Sequence, residues 1–168
     1  MLSTPRLRLV TGTVPISRAE IEDRRLFGEL IGAAVPANWP PETLADALTW
    51  FLEQLESAQG FTPWFIWYAL LEEEERRTLV GSLGFKGPPD KAETVEVGYS
   101  MLPQYQGRGI ATEMVGALVE WALRQDGVSR VIAETTPDNT QSLAVLRKIG
   151  FTGTGPGLEP GSLRFERS

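Results

Sequence analysis

The sequence predicts one mixed α/β domain with a largely antiparallel front half and a single strong βαβ unit. Three observations carry that expectation. The chain has 168 residues, one domain's worth at about 100–200 residues per domain. Short β-prone runs are interleaved with segments whose apolar residues recur every three or four positions. One stretch, Thr94–Thr135, reads as strand, glycine loop, helix and strand in immediate succession, while no fixed-period repeat or low-complexity segment interrupts the chain.

The elements follow in order. Arg6–Val10 alternates polar and apolar residues, as a half-buried strand does. Ser17 and Glu20 have capping-box spacing, and Ile16 and Ile21 the spacing of a hydrophobic staple, so a helix is expected from Ser17, fading at Gly32–Ala34. Val35–Pro41 is too rich in proline for regular helix. A second helix starts at Pro41 or Glu42, carries Leu44, Leu48, Phe51, Leu52 and Leu55 on one face, and should stop at Gly60. Trp64–Leu71 and Thr78–Phe85 are strands of a hairpin, joined by the charged stretch Glu72–Arg77, in which the run Glu72–Glu75 reads as a solvated turn. After a turn at Lys86–Asp90, Thr94–Met101 alternates: Val95, Val97, Tyr99 and Met101 face one way, Glu96, Gly98 and Ser100 the other. Gly107 and Gly109 open a helix to about Gln125 with Met114, Leu118 and Trp121 on its buried stripe. Arg130–Thr135 is a strand. A last helix starts at Pro137–Thr140 and ends at Gly150, and two strands, from Phe151 and around Leu163–Phe165, flank a Gly/Pro turn.

Composition removes whole classes of chemistry. The chain contains no His and no Cys, so a thiol nucleophile, a Ser-His-Asp triad, a zinc finger and a His-ligated metal are excluded. Proton transfer falls to Asp, Glu, Lys, Tyr, Ser, water or the substrate; composition leaves a carboxylate-only Mg or Ca site open, although no metal is expected. The net charge is −6, and residues 1–103 carry 9 basic against 15 acidic side chains. That argues against nucleic-acid binding, which needs a basic face, and mildly favours a cationic partner beside its solubilising role. No apolar run reaches the 18 residues of a membrane span, and Met1–Val10 lacks a signal-peptide core. The absence of Cys fits a cytoplasmic location.

The segment Tyr99–Thr112 carries the most chemistry. A strand runs into a loop with two glycines, and the loop opens directly into a helix. Glycine permits close backbone approach and positive φ. A helix's first turn offers unpaired N–H groups and partial positive charge, so the corner suits a phosphate or pyrophosphate. No Gly-Lys-Ser/Thr follows, which argues against a P-loop, and there is no Gly-x-Gly-x-x-Gly dinucleotide fingerprint. A tight turn with no ligand would use the same glycines.

Gln106-Gly107-Arg108-Gly109-Ile110-Ala111 resembles the acetyl-CoA signature Gln/Arg-x-x-Gly-x-Gly/Ala of the GCN5-related N-acetyltransferases, the GNAT superfamily. Val95–Ser100 resembles that family's fourth strand. Pro137–Ser142 followed by Leu146–Phe151 resembles its fourth helix and the strand after it. Thr4-Pro5-Arg6-Leu7-Arg8-Leu9 resembles the opening of the branch containing the Rim-type ribosomal-protein N-terminal acetyltransferases. The likeness is strongest over 94–151 and weakest over 11–62.

The resemblance implies a GNAT fold: a mixed, mostly antiparallel sheet whose fourth and fifth strands, here 94–101 and 130–135, splay apart, flanked by about four helices. It implies acetyl-CoA as co-substrate. Backbone amides from Gln106 through Gly107, Arg108, Gly109, Ile110 and Ala111 to Thr112 would hold its pyrophosphate, with the Arg108 side chain either near phosphate or in solvent. Backbone groups near Ser100 and Met101 would pair with pantetheine, a bulge at Gly98 would help the strands part, and Asn139 and Ser142 would line the thiol end.

The reaction it implies is direct transfer of acetyl to a primary amine. An ammonium has no lone pair, and a lysine-like amine (pKa about 10.4) needs more help than an α-amine (about 8). Glu96 is the expected base, direct or through water, with Glu134 its competitor. A backbone N–H around Val97–Tyr99 would hold the oxyanion. Many family members place a Tyr on the last helix to protonate the departing thiolate; Leu146 stands here, which leaves Ser142 as the matched donor. Tyr99, sharing a face with Val95 and Val97, is expected in sheet packing. Trp39, Trp50, Trp64, Phe65, Trp67 and Tyr68 are either core or a cation–π pocket for the amine. The acceptor is a protein N-terminus or a small amine, and exposed strands would permit a homodimer. Against the enzyme stands a second reading, a non-catalytic acyl-CoA-binding or sensor module on the same fold.

Overall fold

A computed structural model describes residues 1–57 and 62–168. Eight strands form one sheet: β1 (Leu2–Ser3), β2 (Leu7–Thr11), β3 (Ile66–Glu73), β4 (Arg76–Phe85), β5 (Thr94–Met101), β6 (Arg130–Thr135), β7 (Thr152–Pro156) and β8 (Leu163–Arg167). Their order across the sheet is β1-β2-β3-β4-β5-β6-β8-β7. Every neighbouring pair is antiparallel except β5 and β6, which are parallel. The mixed, mostly antiparallel sheet predicted from the sequence is therefore present.

The sheet is covered on both faces, and this explains why Trp64–Leu71 does not alternate. In β3, Trp67, Ala69 and Leu71 enter one core with α5 (Ile110–Ala122) and α6 (Thr140–Lys148), packing among Met114, Val115, Leu118, Val119 and Leu146. Ile66, Tyr68 and Leu70 enter the other, against Phe27, Ile31 and Leu55 of the front helices. A strand buried on both sides reads as a continuous apolar run. At about 1.5–3 kcal/mol for each fully buried large apolar side chain, the two layers are the main stabilising term.

The front half departs from the sequence reading. The helix expected from Ser17 begins at Val14, and Thr13 caps it by accepting from Ile16 N at 3.4 Å. Ser17 and Glu20 form no capping box: Ser17 is 2% exposed and Glu20 turns inward, while Ile21, the expected staple partner, lies in solvent. Asp23, extended at φ −147°, ends α1 (Val14–Glu22) and caps α2 (Arg24–Ile31), accepting from Leu26 N at 3.0 Å. The second expected helix is likewise divided into α3 (Glu42–Ala45) and α4 (Leu48–Ser57), and its expected stop at Gly60 lies outside the described residues. The four helices predicted thus become six α-helices among the described residues. The solvated turn expected at Glu72–Glu75 is present but shorter than that run. Glu72 faces Arg77 and Glu73 faces Arg76 across the ladder, so the connection shrinks to Glu74 and Glu75.

Between the front helices lies a buried polar knot. Glu20 accepts from Trp39 Nε1 at 2.8 Å and from the Tyr68 hydroxyl at 2.6 Å. Burial pushes the Glu20 carboxyl up to about 7, against those two hydrogen bonds, which favour its charged form. The folded state therefore holds a proton that the unfolded chain, ionising near 4.5, releases. The stability this supplies is complete below about pH 4.5 and is lost as pH rises through 7. The melting temperature should accordingly fall between pH 5.5 and 7.5, with a slope of at most about 1.4 kcal/mol per pH unit. Glu20→Gln should flatten that slope in a thermal melt series; an unchanged slope would remove Glu20 as its source.

Candidate functional site

The site begins where two strands part. β5 and β6 are paired only at Thr94–Arg130, Val95–Val131 and Glu96–Ile132. Beyond Glu96, β6 remains bonded to β8 as far as Thr135 and leaves β5 behind. β5 itself keeps unbroken register with β4 from Val97 to Met101, so the expected bulge at Gly98 is absent. The parting comes from the departure of β6, which follows its other neighbour.

The gap leaves β5 with unpaired backbone groups. Lys86 N donates to Glu96 O at 3.1 Å and Leu102 N to Val80 O at 3.0 Å. By the alternation of an antiparallel ladder, the even-numbered residues of β5 direct N–H and C=O to β4, and Val97, Tyr99 and Met101 direct theirs into the gap. Ser100, expected to offer backbone groups there, directs them to β4 instead, and its Oγ meets Thr43 Oγ1 at 2.6 Å. The Gln106 side-chain amide already donates to Met101 O at 3.3 Å.

The gap continues into a cleft of about 510 Å³ between β5, β6, the start of α5 and α6. Gln106, Gly107, Gly109, Ile110, Ala111 and Thr112 line one end of it. Gly107 (φ +72°) and Gly109 (φ +74°) take a conformation that other residues resist. Among the described residues, the amides of Gly107, Arg108 and Gly109 donate to no backbone carbonyl. Those of Ile110, Ala111 and Thr112 precede the first bond of α5, from Glu113 N to Gly109 O at 3.1 Å. Six successive bare amides at a helix N-terminus fit a diphosphate, which tests and supports the expected cofactor on the chain's own geometry.

A brace holds this corner from outside. Glu113, in the first turn of α5, accepts from Thr4 Oγ1 at 2.5 Å, Arg6 N at 2.9 Å and Arg6 Nε at 2.7 Å. Arg6 Nη1 donates to Arg108 O at 3.0 Å. Burial alone would raise the Glu113 carboxyl, but these donors hold it below the usual range. Thr4–Arg6 carries no local mark of this role, because its partner Glu113 lies more than a hundred residues away. The Arg108 side chain is drawn outward, to Glu73 at 3.4 Å and over the Tyr105 ring at 5.8 Å, so only its backbone faces the anion corner.

At the other end of the cleft, Asn139 and Ser142 stand together at the start of α6. Asn139 caps the helix by accepting from Ser142 N at 3.1 Å. The Ser142 Oγ shares a 2.7 Å hydrogen bond with the Tyr99 hydroxyl. Tyr99, expected purely in packing, does pack against the core yet brings its hydroxyl into the cleft. Burial raises its pKa, opposed by the Ser142 bond, so it remains protonated at neutral pH. The strand alternation held the signal: an odd-numbered side chain beyond Val97 sits over the opened gap. Leu146 is fully buried in the core.

The two carboxylates separate clearly. Glu134 accepts from Leu158 N at 2.9 Å, Ser162 Oγ at 3.1 Å and Arg164 Nη2 at 2.9 Å. Burial raises its pKa, but those donors outweigh it and hold the carboxyl low. Glu134 therefore ties the 157–164 arm to β6 and is a poor proton acceptor. Glu96 lies on the sheet face turned away from α5, its side chain 16% exposed and paired with Lys86 Nζ. It lines a second cleft, of about 390 Å³, with Lys86, Pro88, Ile132 and Leu158. Gly98, two residues along the same face, carries no side chain, and a Cβ there would meet nothing within 4 Å. Glu96 thus lines the second cleft and Gly98, two residues on, the first.

Of the two readings of the aromatic residues, core packing holds for all but Trp50. Trp39, Trp64, Phe65, Trp67 and Tyr68 are core residues, and Trp64 and Trp67 pack on Trp121 with ring centroids 5.0 and 5.4 Å apart. Trp50 alone of the group is exposed. Among the described residues, no three Asp or Glu side chains gather as a metal site. No helix among them is long and apolar enough to cross a membrane.

Comparison with known proteins bears on this geometry. Residues 16–152 match the acetyltransferase (GNAT) domain. The chain is 32% identical over 155 residues to the uncharacterized N-acetyltransferase YjdG of Bacillus subtilis, covering 90% of this chain and 89% of that one. It is 37% identical over 82 residues to the N-alpha-acetyltransferase RimI of Mycobacterium tuberculosis, covering 46% and 48% of the two chains. A solved structure of RimL, a ribosomal L7/L12 alpha-N-protein acetyltransferase in complex with coenzyme A, superposes with a TM-score of 0.62 at 19% identity, covering 98% and 94%.

Removing the brace should weaken anion binding without unfolding the chain. Arg6→Ala should raise the Kd for coenzyme A about tenfold, as expected for a lost charge-assisted contact. Arg25→Ala, which removes an exposed pair with Glu29 on α2, should leave it unchanged. Titration calorimetry with circular dichroism as a fold control makes the comparison; equal affinities for the two variants would refute the role of the brace.

Proposed function

The chain belongs to the GNAT acetyltransferase family and is an acetyl-CoA-dependent N-acetyltransferase, and from that premise we propose that it acetylates a primary amine by direct attack, with Glu96 as general base and the Tyr99–Ser142 hydroxyl pair as proton donor to sulfur. The observation that carries this reading is the placement of a half-buried carboxylate beside the point where β5 and β6 separate, with a hydroxyl pair reached from the opposite face of the same strand.

Acetyl-CoA supplies the activated acetyl thioester. The amides of Gly107 through Thr112 hold its diphosphate, and the gap-facing backbone groups of Val97 and Tyr99 meet its extended arm as a neighbouring strand would. The Val97 or Tyr99 N–H is placed to donate to a developing oxyanion. On the other face, Glu96 takes a proton from the incoming ammonium, so the nitrogen lone pair becomes available. Tyr99 keeps its proton at neutral pH and can deliver it to sulfur, with Ser142 orienting the hydroxyl. A thiol of pKa about 8.5 needs only modest help of this kind, so Tyr99 supplies what Leu146 cannot.

The acceptor amine enters through the cleft that holds Glu96, Lys86, Ile132 and Leu158. The Rim-type relatives are named for action on protein N-termini. An α-amine loses its proton more readily than a lysine side chain, which makes peptide N-termini the first acceptors to test and small amines the second.

Free-thiol release from acetyl-CoA, followed across a panel of N-terminal peptides and small amines, tests the activity. Glu96→Gln should lower kcat on the order of a hundredfold or more while the Kd for coenzyme A stays within about twofold. Tyr99→Phe should lower kcat about tenfold, with Ser142→Ala smaller in effect. Full turnover by Glu96→Gln would overturn its role as base.

A further inference from the structure

Lys86 is one of three lysines in the chain, with Lys91 and Lys148. It stands directly after β4, where its backbone N–H donates to Glu96 O at 3.1 Å. The end of the ladder therefore holds Lys86 opposite Glu96, and the Lys86 ammonium closes an ion pair with the Glu96 carboxylate. The lysine side chain is 64% exposed and free to move; the carboxylate, at 16%, is not. The proposed base thus already holds a primary ammonium at rest. The same face continues past Gly98, where no side chain intervenes, to the gap between β5 and β6.

We infer that Lys86 is itself an acetyl acceptor, so that in the absence of a competing amine the enzyme acetylates its own Lys86 Nζ. This rests on the acetyl-transfer reading above. Glu96 takes one proton from the ammonium and later releases it to solvent. The freed lone pair forms the N–C bond to the acetyl carbonyl carbon, and the C–S bond breaks with its electrons going to sulfur. The second nitrogen proton leaves to solvent as the amide forms, and the sulfur takes the Tyr99 proton, which solvent replaces. The products are a neutral amide on Lys86, the free thiol of coenzyme A and one proton in solution. The modified side chain can no longer pair with Glu96, so acetylation releases the base from its resting partner.

The other two lysines are internal controls. Lys148 lines the coenzyme cleft and Lys91 lies in the turn before β5; among the described residues neither is paired with a carboxylate. Spontaneous acetylation by the thioester would modify them without needing Glu96.

The full-length protein, incubated with isotopically labelled acetyl-CoA and no amine, is digested and mapped by mass spectrometry over time. Lys86 is expected to gain label on the order of a hundredfold faster than Lys91 and Lys148. Glu96→Gln should reduce Lys86 to the rate of the other two, and Lys86→Arg should leave no fast phase in the intact mass. Label spread equally over the three lysines, or a Lys86 rate indifferent to Glu96→Gln, would overturn the inference. Calorimetry with coenzyme A and thiol release on the amine panel are read in parallel. An enzyme that turns over amines while Lys86 stays unlabelled loses this inference alone; one that neither binds the coenzyme nor releases thiol loses the underlying reading as well.

Discussion

The departure of β6 from β5 after three residue pairs is the constraint on which the rest of the molecule depends. A continuous sheet would satisfy the Val97, Tyr99 and Met101 backbone groups internally and leave nothing for a ligand. An unpaired edge in the middle of a sheet is costly unless something else pairs with it. Here the sheet tolerates the edge because β4 holds β5 in perfect register and β8 holds β6, so each strand keeps one complete ladder. The two faces are then covered by separate helical layers, which fix the opening's width from outside. The open edge and the bare amides of α5 line one cleft, which suits a single extended ligand.

Much of that was legible along the chain. The alternation of Thr94–Met101 placed Glu96 and Gly98 on one face and Tyr99 on the other, and the glycines at 107 and 109 marked the anion corner; both are local signals. What escaped was long-range. Asp23 breaks the first helix because its carboxylate can cap a second one, and nothing in the spacing of apolar residues records that choice. Ser17 and Glu20 match a capping box by spacing, yet tertiary partners on Tyr68 and Trp39 claim them. Spacing rules price only neighbours in sequence, and a buried carboxylate is decided by neighbours in space.

The same limit governed the site residues. Tyr99 was assigned to packing because it shares a face with two valines, which is correct as far as it goes. Its hydroxyl reaches Ser142 only because β6 is no longer alongside, a fact of topology. Glu134 and Glu96 look equivalent as strand carboxylates one strand apart. They differ in what surrounds them: an arm folds back to give Glu134 a full set of donors, whereas Glu96 has one mobile lysine. Arg6 and Glu113 are too distant in sequence to be associated, yet together they hold the loop whose glycines were so conspicuous.

The anion corner is built almost wholly from main-chain amides, and this has a consequence for ligand design and for divergence. A surface made of peptide groups hardly changes when side chains drift, so a diphosphate mimic aimed at it would bind this enzyme and its relatives alike. Selective inhibitors must draw their discrimination from the opposite mouth, which is lined by side chains, Lys86, Pro88, Ile132 and Leu158 among them. Substrate preference can evolve at that mouth while the donor half of the machine remains unaltered.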